Sequence, residues 1–298
     1  MGLFSGMYKP KENVKEITTE NQNSPAIVKF FVILSRKIFQ LIQLNIVYII
    51  SNIIIFPLLY FFFTPIIFRY DLIYQGLYPE SYFTDLPIQN QAFWHSSFAL
   101  LSTFFMCFPL IVFGPAQAGF SFVCRNFVQE KHTWIFSDFI THLRNNFRQG
   151  FTICLINMAV MYFMSQSLTY YIINYFIKYD IISFILMIFL AACLIVFLMM
   201  SMYIYPLLVT FKLSIKQIYK NAATFALIRS PLNLLVLIIN LFIFGLLLMF
   251  TTPIVFIILF IFILPAFSGY MSHFVAYPVI RKYMVDVIER RNVKKGLQ

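Results

Sequence analysis

Charge is what this chain has least of. Of its 298 residues, 11% are Asp, Glu, Lys or Arg, while 61% are apolar. Soluble domains carry about 25% charged and about 45–50% apolar residues. A soluble chain this apolar could not cover its own surface with polar groups. That balance excludes an ordinary soluble enzyme, a disordered regulator and a secreted disulfide scaffold. Cysteine is scarce too. Cys107, Cys124, Cys154 and Cys193 are widely spaced, form no CxxC pair and fall in or beside apolar runs. They read as small buried hydrophobes. Catalytic motifs are also missing. There is no HExxH, no GxSxG, no Walker loop and no pair of acids inside an apolar run. The expectation is a chain that is not an enzyme and holds no cofactor or metal.

Present instead are six apolar runs, each about long enough to cross a bilayer core. They cover about 38–68, 94–113, 151–173, 181–209, 232–250 and 254–279, and none contains Lys, Arg, Asp or Glu. The expected fold is all-α: a polytopic membrane helical bundle of six transmembrane helices, plus amphipathic helices on the inner face. A polar tail (1–24) precedes a single membrane domain (25–285) with an outer loop at 69–93, and a basic tail (286–298) follows.

Orientation follows from lysine and arginine. With both termini inside, 20 of the 22 basic residues lie on the inner side, and only Arg69 and Lys178 fall outside. This predicts a multi-pass protein of the plasma membrane with cytoplasmic N- and C-termini. The net charge of +11 is spread over every inner segment without a recognition motif, so nucleic acid is not expected as a partner. Anionic lipid of the inner leaflet suffices to attract it.

Three inner segments have helical periodicity. In Ser137 to Phe147, residues Phe136, Phe139, Ile140, Leu143 and Phe147 fall on one stripe, with Ser137 as expected cap and Asp138 at the positive helix end. In Leu213 to Ala226, Ile215, Ile218, Tyr219, Ala222 and Phe225 share a face, opposite Lys216, Gln217 and Lys220. Pro25 to Gln40 is the third, with Ser24 as cap. Lying in the inner interface is one role for such helices. Docking a partner is the other, with Asp138, Phe139, His142, Asn146, Lys216 and Lys220 as candidate contacts.

Glycine is sparse, nine in all, yet it marks a recurring pattern. Gly114-Pro115-Ala116-Gln117-Ala118-Gly119-Phe120 is echoed by Leu264-Pro265-Ala266-Phe267-Ser268-Gly269-Tyr270. Tyr205-Pro206 and Tyr277-Pro278 form a second echo. Small residues let helix backbones approach closely in lipid. Gly114, Pro115, Ala116, Ala118, Gly119, Pro265, Ala266 and Gly269 are therefore expected at helix contacts. Within the runs, Asn45, Asn157, Asn240 and His273 serve either as interhelical hydrogen bonders or as the lining of a polar cavity.

The run from Gly114 to Gly150, GPAQAGFSFVCRNFVQEKHTWIFSDFITHLRNNFRQG, resembles the YesL-like family of bacterial membrane proteins. The likeness rests on the GPA-x-AG-aromatic helix end, Arg125-Asn126, Glu130-Lys131, Asp138-Phe139 and Asn146-Phe147. The segments LIQLNIVYII and Tyr205 to Leu227 extend it to roughly 27–285. The family has no known function. What the resemblance implies is an accessory or assembly role in oligosaccharide uptake or sensing, beside an ABC transporter or another membrane protein. The alternatives are a permease-like subunit, or a membrane sensor or lipid-linked role. Asn221-Ala222-Ala223 resembles the ATPase-docking loop of ABC permeases, but without its acid and glycine.

Overall fold

The computed structural model describes residues 25–52 and 114–286. Every regular element among them is helical. The helices are α1 (Ala26–Asn52), α2 (Gly114–Val128), α3 (Ile135–Asn145), α4 (Phe147–Lys178), α5 (Ile181–Thr210), α6 (Ile215–Ile228), α7 (Ser230–Phe250), α8 (Pro253–Phe262) and α9 (Leu264–Ile280), followed by a π turn at Arg281–Val285. The described residues divide into two units, with the boundary between Phe39 and Gln40.

Among the described residues, four helices are long and apolar enough to cross a membrane: α1, α4 to Ile172, α5, and α7 to Leu247. A fifth span arises if α8 and α9 count as one helix bent by 47°. The expected runs at 151–173, 181–209, 232–250 and 254–279 coincide with these elements. The run at 94–113, the far half of 38–68, the outer loop and both tails lie outside the described residues.

Local sequence explains the joints. Tyr179 takes a left-handed conformation (φ 52°) and closes α4, and Asp180 then caps α5 by accepting from Ile182 N and Ser183 N at 3.2 Å each. Ser214 opens α6 with a capping box: its hydroxyl accepts from Gln217 N, and Gln217 Oε1 accepts from Ser214 N at 2.9 Å.

Two expectations need correction. The helix read over Ser137 to Phe147 begins at Ile135 and ends at Asn145, and Ser137 is not its cap. Asp138 reaches back from the first turn instead, and Trp134 N donates to its Oδ2 at 2.9 Å. The chain also turns at Asn146, so Phe147 starts α4 rather than continuing the stripe. Phe139 is fully buried, while Phe136 and Phe147 are exposed. The segment read as a separate helix over Pro25 to Gln40 is the start of α1, which runs without interruption to Asn52.

Within the larger unit, α2 is the hub. It packs against α3, α4, α5 and α9, and every residue from Gly114 to Ser121 is buried. The glycines make this possible. A Cβ on Gly114 would run into the carbonyl of Gly150 on α4. On Gly119 it would stand 2.5 Å from Phe139 O on α3, and on Gly269 it would strike the Phe120 ring. Pro115, Ala116, Ala118, Pro265 and Ala266 are buried beside them.

The break before α9 has a specific chemical remedy. Pro265 has no N–H to give to Ile261 O, and its ring disfavours a straight helix there. Asn45, fully buried on α1, supplies the missing partners. Its Nδ2 donates to Phe260 O (2.9 Å) and Ile261 O (2.8 Å), and its Oδ1 accepts from Ala266 N (2.8 Å). One side-chain amide thereby satisfies three main-chain groups at the bend.

Candidate functional site: a buried polar cavity

Where α1, α2, α5 and α9 meet, polar side chains surround a cavity of about 30 Å³, room for one or two waters. Its walls include Tyr48, Gln117, Ser201, Tyr205, Ser272 and His273. Tyr48 donates to Gln117 Oε1, which leaves the Gln117 amide hydrogens as donors at the wall. Ser201 turns its hydroxyl onto Leu198 O in its own helix.

The His273 ring is held at both nitrogens. Nδ1 lies 2.7 Å from Gly269 O, and a carbonyl only accepts, so Nδ1 carries the proton. Nε2 is then the acceptor, and Ser121 donates to it at 2.7 Å. A serine on an imidazole is the contact of a nucleophile and its base. Here, however, Ser121 is fully buried and does not line the cavity. The pair links α2 to α9.

Tyr205 is the odd member. It is 2% exposed, and its hydroxyl has no hydrogen-bond partner among the described residues. Leaving such a group unsatisfied costs about 1–3 kcal/mol. The cavity beside it is the space from which a partner would come.

A second, larger space adjoins the first. It is about 60 Å³, lies among α5, α7, α8 and α9, and is lined chiefly by apolar side chains, with Asn240, Ser268 and Ser272 as its polar groups. Met202, Pro265, Ser268 and Ser272 belong to both walls.

The four polar residues singled out in the sequence do not come together. His273 lines the polar cavity and Asn240 the apolar space. Asn45 serves the helix break. Asn157 accepts from Tyr219 at 2.6 Å and ties α4 to α6. Burial of Tyr219 pushes its phenol pKa up, which keeps this donor protonated. Tyr48, Gln117 and Tyr205 line the same cavity as His273 and were not singled out. Two signals pointed to them: Gln117 is the one polar residue in a run of small ones, and Tyr205 opens the Tyr-Pro echo.

The candidate docking residues divide. Asp138 caps α3, Phe139 fills the gap beside Gly119, and Asn146 Nδ2 donates to His142 O. His142 stacks on Phe122 with ring centres 3.4 Å apart. Burial and the Arg125 guanidinium lower the His142 pKa, with Asp138 opposing them. Arg125 in turn stands over Phe122 and donates to Val209 O and Thr210 Oγ1, capping the end of α5. Lys216 and Lys220 are exposed.

Among the described residues, no cluster of His, Cys, Asp and Glu could hold a metal ion. No curated protein and no solved structure matches the chain. Residues 41–168, which contain the hub helix α2 and its contacts with α3 and α4, match the family described as "Protein of unknown function, DUF624".

Proposed function

We propose that this integral membrane protein is an accessory component that works through a protein partner on the side of the membrane where α3 and α6 lie. That side is cytoplasmic, as the distribution of basic residues argues. The partner is a component of an oligosaccharide uptake system, as the likeness to the YesL-like family implies.

The observation that carries this reading is the burial pattern of α6. A helix that only anchors a protein to lipid turns its apolar stripe into the bilayer. In α6 that stripe is already used: Ile218, Ala222, Phe225 and Ala226 are buried against protein. Lys216, Gln217 and Lys220 face outward from a helix stabilised by its own capping box. Trp134 and Phe136 are exposed at the start of α3 and add large apolar surface to a polar setting. Exposed aromatic side chains such as these are enriched in protein interfaces. A permease role draws less support, because the polar cavity has room for waters and not for a sugar ring.

Photo-crosslinking amino acids at Lys216, Lys220 and Phe136 test the reading in native membranes. The expected result is capture of an ATPase or permease subunit of a sugar importer, with impaired growth on oligosaccharide after gene deletion. Capture of lipid alone, with normal growth after deletion, refutes it. Solute flux by the purified chain in liposomes would favour the permease instead.

A further inference from the structure

We propose that the polar cavity and the adjoining apolar cleft together bind a neutral amphiphile of the membrane, with its hydroxyl end at Tyr205 and its tail in the cleft.

Four observations support this. First, the two spaces share Met202, Pro265, Ser268 and Ser272, so they adjoin and only these four side chains stand at their junction. Second, their chemistry differs in the manner of an amphiphile. The inner space offers the Tyr205 hydroxyl, the Gln117 amide hydrogens and Ser272. The outer offers Leu198, Leu237, Ile243 and Phe244. Third, the outer space reaches the bundle surface. Leu241 lines it and is also exposed, on a helix apolar enough to span a bilayer. Hydrocarbon, not water, is the medium at that rim. Fourth, the inner end contains a buried hydroxyl, that of Tyr205, with no partner among the described residues.

Charge selects the class of headgroup. Among the described residues, no Lys, Arg, Asp or Glu lines either space. A phosphate or ammonium head would enter unpaired, which is expensive in a bilayer. Size selects further: room for one or two waters admits a hydroxyl or ester carbonyl, not a sugar. A single-chain glycerol ester is uncharged, and one of its hydroxyls can enter the inner space while the rest of the molecule stays in the cleft. This site lies within the bundle and is separate from the docking face proposed above.

The test uses the full chain in phosphatidylcholine nanodiscs with a monoacylglycerol carrying a diazirine on its tail. A phosphatidylglycerol with the same tail is the anionic comparator. Saturable labelling by the monoacylglycerol is expected in 232–247 and 264–280, displaced by unlabelled monoacylglycerol. Tyr205→Phe should weaken it about threefold to tenfold, the scale of one hydrogen bond. Its melting temperature without ligand should be unchanged or higher, because the lost hydroxyl had no partner. Ser272→Leu, which fills the junction, should abolish labelling. The proposal is overturned if the anionic lipid labels equally, if labelling scatters over the exposed faces without saturation, or if Tyr205→Phe binds as the parent does.

Discussion

Asn45 offers the sharpest test of how this bundle tolerates a broken helix. Replacing it with Leu keeps the approximate volume but removes three hydrogen bonds at 2.8–2.9 Å. Two carbonyls and one N–H at the α8–α9 break would then be buried without that partner. Side-chain hydrogen bonds within membrane proteins average about 0.6 kcal/mol, with a maximum of about 1.7. Three of them set a loss of roughly 2–5 kcal/mol. Pro265→Ala probes the same bend from the other side, because alanine restores an N–H for Ile261 O and lifts the ring clash. In the parent, that change loses the packing of Pro265 and gains little, since Asn45 already serves the carbonyl. In the Asn45→Leu background it should recover about 1 kcal/mol or more. Equilibrium unfolding of the four proteins in mixed micelles gives the coupling directly. Additive effects would show that Asn45 does not serve the proline break.

Two further outcomes follow from other contacts in the bundle. Gly114→Ala should destabilise the chain by at least about 2 kcal/mol, because its Cβ meets the Gly150 backbone, which cannot rotate away. Gly245→Ala, with nothing within 4 Å of its Cβ, should be neutral or stabilising by up to about 1 kcal/mol. Thermal unfolding in detergent separates them, and equal shifts would refute the contact. His142 has its pKa lowered below the ordinary 6.5. Below about pH 6.5 the unfolded chain therefore binds more protons than the folded one, and stability falls as pH falls. In His142→Phe, which keeps an aromatic ring on Phe122, the melting temperature should decline less between pH 7 and 5. An unchanged slope would refute the assignment.

The runs at 151–173, 181–209 and 232–250 were legible as long apolar helices because bilayer length and hydropathy act on whole segments, so neighbours hardly matter. The helices at 181–210 and 230–250 stand almost where their apolar runs do. The α6 face was legible for the same reason, since its stripe is continuous. The stripe on α3 was misjudged because two backbone events override periodicity. Asp138 caps from inside the first turn, and Asn146 breaks the helix before Phe147. The Gly-Pro-Ala motif pointed to close packing, but its partners, Gly150, Phe139 and Phe120, are set by which helices meet. The polar cavity was the least legible part. Its residues come from four helices, and most of them resemble ordinary interfacial tyrosines and serines.

Asparagines in this bundle carry the same lesson further, because sequence cannot rank them. Asn233 and Asn240 sit two turns apart on α7 and look alike in an apolar helix. The structure gives them opposite duties. Asn233 is fully buried; its Oδ1 accepts from Tyr203 at 2.8 Å, and its Nδ2 donates to Phe225 O (3.3 Å) and Ala226 O (3.0 Å). Those carbonyls belong to the last turn of α6, where a helix runs out of its own N–H groups. Asn233 therefore closes the α6–α7 corner and ties it to α5. Among the described residues, Asn240 donates only to Val236 O in its own helix, a carbonyl the helix itself can serve. Asn233→Leu should cost roughly 2–4 kcal/mol and loosen α6, seen as faster amide exchange at 222–228. Asn240→Leu should stay within about 0.5 kcal/mol of the parent, since no partner on another helix is abandoned. If both variants lost equal stability, burial of the amide rather than its corner partners would be the cause, and the stapling role of Asn233 would fall.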